Sequence, residues 1–276
     1  QESRPFTNVL KAYSLENKTI SSLSTSALPF ISIQVDGQKV YWLNKQKRQE
    51  YFTWSPEEGT QSISTPCTNL LNLLMVPEGA VYECSKDPKY GDHIVFLHKE
   101  GTQTFFNNKN LIGGDASSII INSSIDNTAS LLKIDLSSQE QQKLFKSNIS
   151  GTGIVGDYLV SGTNSAWTVS ESLLAQNSVD YIIMFSNGDV PIPIVRMPRN
   201  STQIEIDLTE KGIFWSQWNP GRTKFDLFTW SPTKGRSILN ERLPTAYRFA
   251  ANSNKIFISN TNTLYQADIV EYPAIA

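Results

Sequence analysis

The chain has 276 residues, a formal net charge of -2 and a charged fraction of 18%, which is below the usual share of about a quarter. A nearly neutral chain without a basic stripe disfavours nucleic acid as the main partner, and no apolar run approaches the ~20 residues of a membrane helix. Helical periodicity is almost absent. Short alternating strands between turn signals therefore predict an all-β protein.

The first predicted elements are two short strands within Val9–Leu23, separated by a polar turn. A four-stranded antiparallel unit follows, and its first hairpin turns at Asp36 and Gly37, which tolerate positive φ. Its strands are Phe30–Val35, Lys39–Leu43, Tyr51–Trp54 and Thr60–Thr65.

This unit recurs about every 40 residues, a period typical of solenoids and propellers. Tyr51–Thr65 and Phe225–Leu239 share the letters FTWSP, followed three positions later by glycine. In the fourth unit, Gly153–Val155 and Tyr158–Ser161 are predicted as the first two strands, with Asp157 in the turn between them. The later units are predicted at 73–106, 111–145, 153–195, 204–239 and 246–270.

We therefore predict a six-bladed β-propeller of four-stranded antiparallel blades, forming a single domain over residues 1–276, with seven blades as the alternative. The last blade, 246–270, has only three predicted strands. The N-terminal strands 9–23 are expected to join it and close the ring, because closure removes exposed sheet edges. A sandwich would not require repeated local chemistry, whereas a ring of equivalent blades does.

Two sequence patterns carry a family resemblance. Tyr41-Trp42 within Val40–Asn44, and the similar Ile213–Trp218, resemble the YWTD-type repeats of low-density-lipoprotein-receptor propellers. Trp54–Gly59 and Trp230–Gly235 are similar to the WD40-like repeats of TolB and dipeptidyl-peptidase proteins. The resemblance implies a propeller fold. The Thr-Asp pair of YWTD is absent from every unit, so no functional residue is transferred from either family.

Cysteines and sequons bear on the compartment. Cys67 and Cys84 are the only cysteines and lie 17 positions apart, so a disulfide and two buried thiols are both compatible with the sequence. Four sequons permit N-glycosylation at Asn17, Asn122, Asn148 and Asn200, although chance alone predicts about four. The N-terminus carries no signal peptide, as in a cytosolic chain or a mature one whose leader was removed.

The sequence offers no catalytic or metal-binding motif. The two histidines, His93 and His98, fall on opposite faces of one strand and cannot share a metal. Paired carboxylates could support glycoside hydrolysis, but Asp is also favoured in turns for its backbone-capping side chain. We therefore predict no catalytic residue, no metal and no cofactor. The carboxylate candidates are Asp36, Asp92, Asp115, Asp157 and Asp207.

Aromatic and cationic residues concentrate in the connections between predicted strands two and three. These connections emerge on one face of a propeller, and Trp, Tyr and Arg are the residue types enriched at binding hot spots. The alternative interpretation is that Trp167 and Trp218 fold back to cover blade edges, since a propeller has many hydrophobic gaps to fill. The predicted ligand-binding residues are Trp167, Trp218, Tyr90, Arg48 and Arg222.

The favoured function is a non-catalytic binding or scaffolding propeller, located outside the cytosol, that engages another protein through this face. One alternative is a carbohydrate-binding lectin, in which the aromatic side chains stack on sugars. A second is a carbohydrate-active enzyme with carboxylates in the central channel. A third is a propeller excised from a larger receptor or peptidase.

Overall fold

The chain forms an all-β structure of antiparallel meanders in a computed structural model. The structure describes residues 8–14, 16–45, 47–107, 110–123, 128, 130–147, 153–173, 178–198, 205–219, 224–243, 248–251, 255–259 and 264–268. The chain divides into two compact units. Unit 1 comprises 1–111, 115–121 and 134–140, and unit 2 comprises 112–114, 122–133 and 141–276.

Unit 1 contains one two-stranded sheet and two four-stranded sheets. The two-stranded sheet pairs β1 (Asn8–Tyr13) with β2 (Ile20–Ser26). The first four-stranded sheet comprises β3 (Phe30–Asp36), β4 (Lys39–Asn44), β5 (Glu50–Ser55) and β6 (Gly59–Ser64). The second comprises β7 (Asn69–Val76), β8 (Gly79–Asp87), β9 (Gly91–His98) and β10 (Gln103–Phe106).

The third four-stranded sheet is divided between the two units. Its strands are β11 (Leu111–Gly114), β12 (Ser118–Asn122), β13 (Ser130–Asp135) and β14 (Gln141–Lys146).

Unit 2 contains two further four-stranded sheets and one three-stranded sheet. The fourth sheet comprises β15 (Gly153–Ser161), β16 (Asn164–Leu173), β17 (Ser178–Ser186) and β18 (Ile192–Pro198). The fifth comprises β19 (Ile206–Thr209), β20 (Gly212–Asn219), β21 (Lys224–Ser231) and β22 (Gly235–Leu243). The three-stranded sheet comprises β23 (Arg248–Ala251), β24 (Lys255–Ser259) and β25 (Leu264–Asp268).

This succession of four-stranded antiparallel meanders is the β-propeller fold, as the sequence predicts. The predicted blade number is wrong, because the described residues form five complete four-stranded blades rather than six or seven. The C-terminal sheet has three strands, and β1 and β2 pair with each other. The expected joining of residues 9–23 to the C-terminal blade stays a prediction.

The fourth residue of strand two, counted from the hairpin that precedes it, is the most regular core position. It faces the preceding sheet where packing is described: Tyr82 packs with Leu43 and Tyr51, and Trp215 packs with Ala166 and Ile183. Such large side chains fill the space between two sheets that meet face to face. The residues at this position are Trp42, Tyr82, Ile121, Trp167 and Trp215, each at most 1% exposed.

In the fourth unit, the hairpin predicted between Val155 and Tyr158 is not formed. Gly153–Ser161 is a single strand, β15, whose pairing with β16 shifts between Val155 and Leu159. This bulge absorbs Gly156 and Asp157, the residues that the sequence assigns to a turn. The true hairpin lies at Gly162 and Thr163, and the residues that follow it, Asn164–Leu173, form the strand β16.

Candidate binding surface

In an antiparallel meander, successive connections alternate between the two ends of the sheet. The connection from strand two to strand three therefore lies at the same end as the connection from strand four to the next sheet. In unit 1 this end carries the loop between β4 and β5, the segment 65–68 and the loop between β8 and β9. We call these three segments the unit 1 loop surface.

Arg48 fixes the β4–β5 loop to the second sheet. Its Nη1 donates to Asn69 Oδ1 at 3.1 Å, and its carbonyl oxygen accepts from the Leu70 backbone N–H at 2.6 Å. Asn69 Nδ2 in turn donates to Ser85 Oγ on β8. Arg48 as a whole remains solvent-exposed, so this predicted site residue is available to a ligand.

A cavity of about 360 Å³ opens beside this loop. One part of its lining is aliphatic and comes from strand ends: Ile31, Leu43, Leu70 and Leu71. The other part is polar or charged: Asn44, Lys45, Lys47, Arg48 and Glu50. Three cationic side chains thus surround a single carboxylate beside an apolar wall.

The Glu50 carboxylate already has partners on the protein. It accepts a hydrogen bond from Ser62 Oγ, and Lys47 Nζ lies 3.5 Å from its Oε2. The Ser62 hydroxyl, together with the Lys47 charge, lowers the pKa of Glu50 below its ordinary value. The carboxylate is therefore ionised at neutral pH, and Lys47 alone balances its charge, which leaves a net positive lining.

A disulfide joins the 65–68 segment to β8. Cys67 and Cys84 are bonded, with their Cα atoms 5.1 Å apart, and both are buried. They belong to the same core cluster as Leu43 and Leu70, which line the cavity. The cross-link therefore restrains the wall of the cavity. A disulfide is compatible with an extracellular protein.

Tyr90 presents an aromatic ring at the next loop. Its ring centroid lies 4.9 Å from that of Phe105 and 5.3 Å from that of the buried His93, while Tyr90 and Phe105 themselves are 41% and 40% exposed. Asp87 Oδ1 accepts from the backbone N–H groups of Lys89 and Tyr90 at 2.8 and 2.9 Å. These two bonds hold the turn, and they lower the pKa of Asp87.

Trp167 does not lie in a loop, so its predicted placement is wrong. It occupies the middle of β16 and is 1% exposed. Its ring packs 5.7 Å from Phe145 and 5.6 Å from Tyr158. Trp167 is the fourth residue of β16, which begins at Asn164. Counting from the strand's first residue would therefore have placed Trp167 in register with Trp42 and Trp215.

Trp218 and Arg222 are the other two predicted residues in unit 2. Trp218 lies in β20, one residue before its end, so its predicted placement in a connecting loop is wrong; the residue is half-buried. It packs at 5.0 Å against the ring of Phe225. Arg222 lies outside the described residues.

A charged cluster missed by sequence reasoning lies in the fourth sheet. Arg196 Nη2 is 2.7 Å from Glu171 Oε2, and its Nη1 is 3.3 Å from Asp180 Oδ2. Partial burial lowers the pKa of Arg196, but the bonds and charges of the two carboxylates outweigh it and raise that pKa overall. The cluster borders a cavity of about 270 Å³, lined also by Phe145 and Met184. Only register could have revealed it, since Glu171 pairs directly with Asp180.

The carboxylates suggested by the sequence are scattered. Asp36 is exposed in the β3–β4 hairpin, Asp92 accepts from the Lys86 N–H at 3.2 Å, and Asp115 caps its own turn through Ser117 and Ser118. Asp207 bonds the backbone of β23, and the Asp157 side chain lies outside the described part. Within the described ranges, no three His, Cys, Asp or Glu side chains are grouped to hold a metal ion.

Of the predicted glycosylation sites, Asn17 is exposed in the turn between β1 and β2. Asn122 ends β12 and its Oδ1 is buried. Asn148 and Asn200 lie outside the described residues. No helix in the described part of the chain has the length and apolar character to cross a bilayer.

Solved structures with the same fold include three propellers of different proteins. The β-propeller domain of the Trilobed protease from Pyrococcus furiosus aligns with a TM-score of 0.61 at 9% identity, covering 88% of this chain and 83% of that chain. A TolB-like protein from Agrobacterium tumefaciens aligns at 0.55 and 11% identity, covering 85% and 88%. A chain of a nidogen/laminin complex aligns at 0.54 and 11%, covering 87% and 94%.

These similarities confirm the resemblance to TolB-type and related propellers at the level of the fold. No protein-family model matches the sequence. A comparison with curated proteins gives no match either.

Proposed function

We propose that this chain is a non-catalytic binding propeller that engages a protein partner, outside the cytosol, through the unit 1 loop surface. The observation that carries the proposal is the exposed pair Tyr90 and Phe105. Tyrosine is enriched at the energetic hot spots of protein interfaces, and phenylalanine is enriched in interfaces generally.

Four features support this function. The Asp87 bonds organise the Tyr90 turn before binding. The turn therefore loses little conformational entropy when a partner binds. Lys89 Nζ lies 4.7 Å from the centre of the Tyr90 ring and adds a positive rim. The disulfide at Cys67 and Cys84 is compatible with an oxidising compartment, and the exposed Asn17 sequon suits the same location.

The carboxylates give less support to an enzyme. Glu171 and Asp180 are adjacent across β16 and β17, but Arg196 binds both of them. In that arrangement each carboxylate has an oxygen committed to an ion pair, whereas glycoside hydrolysis needs one carboxyl group protonated as an acid. The lectin alternative loses one stacking platform because Trp167 is buried.

The experiment is site-specific photo-crosslinking followed by a binding measurement. A photoreactive phenylalanine analogue in place of Tyr90 should capture one extracellular protein from the source organism. Isothermal titration with that purified protein should then show that Tyr90→Ala and Phe105→Ala each weaken binding by about 2 kcal/mol, or roughly thirtyfold in Kd.

Tyr13→Ala is the matched control, because Tyr13 is also an exposed tyrosine, 36% accessible, but lies in β1. It should leave the Kd unchanged. Thermal unfolding of every variant separates lost binding from lost folding. An unchanged Kd in both Tyr90→Ala and Phe105→Ala would overturn the proposal.

A further inference from the structure

The 360 Å³ cavity beside the β4–β5 loop has the size of a small ligand site. Ligand pockets in proteins span roughly 300–1,000 Å³ and combine apolar walls with a few placed polar groups. Here the apolar wall is made by the ends of three strands, with Ile31 from β3, Leu43 from β4 and Leu70 from β7. Leu71 extends that wall to the surface, where it is 40% exposed.

The lining of this cavity is positively charged, whereas the chain as a whole is negatively charged. Lys45, Lys47, Arg48 and Glu50 give the lining two net positive charges, while the whole chain carries a formal net charge of -2. Lys47 is engaged with Glu50 and lies 5.5 Å from the centre of the Phe52 ring. Lys45 and Arg48 supply the excess charge. A carboxylate beside an aliphatic group is the complementary ligand.

The cationic side of the cavity is held in place before any ligand arrives. Arg48 Nη1 donates to Asn69, and its Nε lies 3.5 Å from the Lys45 carbonyl oxygen. These two bonds orient the Arg48 guanidinium through Nε and Nη1, and neither of them uses Nη2. The Cys67–Cys84 disulfide restrains the adjoining segment. A fixed guanidinium loses little side-chain entropy when it binds a carboxylate, and the bond that it forms is charge-assisted.

We propose that this cavity receives an acidic side chain and a neighbouring aliphatic side chain from the partner protein. The inference rests on the proposed function and specifies the partner's chemistry: an exposed segment in which Glu or Asp alternates with Leu, Ile or Val. The carboxylate pairs with Arg48 and Lys45, and the aliphatic group contacts Leu70 and Leu71. Tyr90 belongs to the same loop surface and contacts the partner beyond this segment.

The test uses two capped hexapeptides and a free acid. One peptide alternates leucine with glutamate, and the other alternates leucine with glutamine; both are acetylated and amidated, so that only side chains differ. Hexanoate is the free acid. Methyl NMR of the leucine residues locates binding, and isothermal titration measures it. The acidic peptide should shift the methyl signals of Leu70 and Leu71 and bind at least tenfold more tightly than the glutamine peptide.

Two variants assign the contacts. Arg48→Gln should lower the affinity for the acidic peptide by about tenfold to a hundredfold, because a hydrogen bond to a charged group is lost. Leu71→Asp should weaken it as well, since it adds a like charge to the rim. Lys99→Gln removes the same charge as Arg48→Gln, but from an exposed position in the turn between β9 and β10, and should have no effect.

Three results would overturn the inference: equal affinity for both peptides, methyl shifts confined to residues away from the cavity, or binding of hexanoate without the acidic peptide, which would indicate a site for small acids. None of these would touch the proposed function. The cavity could show no binding of the acidic peptide while Tyr90→Ala still lowers the affinity for the purified partner. In that case the loop surface binds protein through Tyr90 and Phe105 alone.

Discussion

Glu83 is a buried carboxyl group that connects the second sheet to the segment after it. It is 7% exposed, and its Oε1 accepts from the Asn110 backbone N–H at 2.8 Å. Burial raises the pKa of Glu83 above its ordinary value of 4.5, although the backbone N–H groups of Asn110 and Leu111 lower it and Asp92 adds a small rise. Ionisation of this group therefore costs folding free energy.

The pH dependence of stability should report that cost. In the unfolded chain Glu83 ionises near pH 4.5, while the folded chain keeps its proton to higher pH. Stability from this group is therefore present at low pH and falls as the pH rises through that interval. Because Glu83→Gln cannot ionise, the wild-type free energy of unfolding minus that of the variant should decline from about pH 4 upward and then level off.

Urea unfolding of both proteins at several pH values measures this difference. Two carboxylates act in the opposite direction: the pKa of Asp87 is lowered, and that of Asp135 is lowered to about 2. Both are present in the two proteins, so their contributions cancel. A difference that rises with pH would show that burial does not dominate at Glu83.

Tryptophan illustrates how far residue type alone leads. The residue is typical both of interface hot spots and of cores, so Trp167 fits a binding face when only its surroundings in sequence are read. Position within the repeat decides the matter: Trp42, Trp167 and Trp215 share one buried position in strand two. Arg48 and Tyr90 could be predicted as exposed loop residues, because their loops contain charges and turn formers and no competing core position.

At the level of elements, hydrogen bonds between successive first strands explain the 40-residue period. Gln34 on β3 bonds Met75 on β7, Asn72 on β7 bonds Leu111 on β11, and Asp207 on β19 bonds Ala251 on β23. These pairs are separated by 41, 39 and 44 residues. The sequence repeat is therefore the distance along the chain between neighbouring first strands within a unit.

Gln34 is the clearest test of such a bond. Its Nε2 donates to the Leu73 carbonyl oxygen and its Oε1 accepts from the Met75 N–H at 2.8 Å. Gln34→Ala leaves both backbone groups without this partner and should lower the free energy of unfolding by about 1–3 kcal/mol. Gln38→Ala, in the exposed β3–β4 turn, is the matched control. Equal urea midpoints for the two variants would contradict the role of Gln34.

Strand alternation and turn residues predicted most elements of the first, second, third and fifth sheets. The fourth sheet was misread because a bulge and a hairpin both place Gly and Asp between apolar segments. Only pairing distinguishes them: β15 continues through Gly156, because Val155 before it pairs with Thr168 and Leu159 after it pairs with Ala166 on β16. A local pattern contains no information about a strand that lies ten residues away.

At the scale of the whole molecule, the feature that stays a prediction is how the incomplete C-terminal sheet is completed. Within the described ranges, five sheets have four strands, one has three and one has two. Sequence periodicity could identify repeating units, but it could not fix how an incomplete last unit is finished. Completion of that unit requires a strand from elsewhere in the chain, and no local pattern encodes which strand it is.

We propose that the N-terminal strand pairs with β25, which is one of the two edge strands of the three-stranded sheet in the described part of the chain. An edge strand leaves alternate backbone N–H groups without a strand partner, and these exchange rapidly with solvent. Hydrogen exchange by mass spectrometry should show residues 264–268 protected in the full chain. Deletion of residues 1–27 should speed their exchange at least tenfold, because the pairing strand is removed.

The fifth sheet supplies the control for this deletion. Exchange in β20, Gly212–Asn219, should stay slow, because its pairing with β19 and β21 lies entirely within unit 2. If β20 also loses protection, a gentler variant is needed: Val9→Pro removes one N–H donor and fixes φ in β1 without shortening the chain. Unchanged exchange at 264–268 in a variant whose β20 stays protected would mean that the C-terminal sheet is completed by something other than the N-terminus.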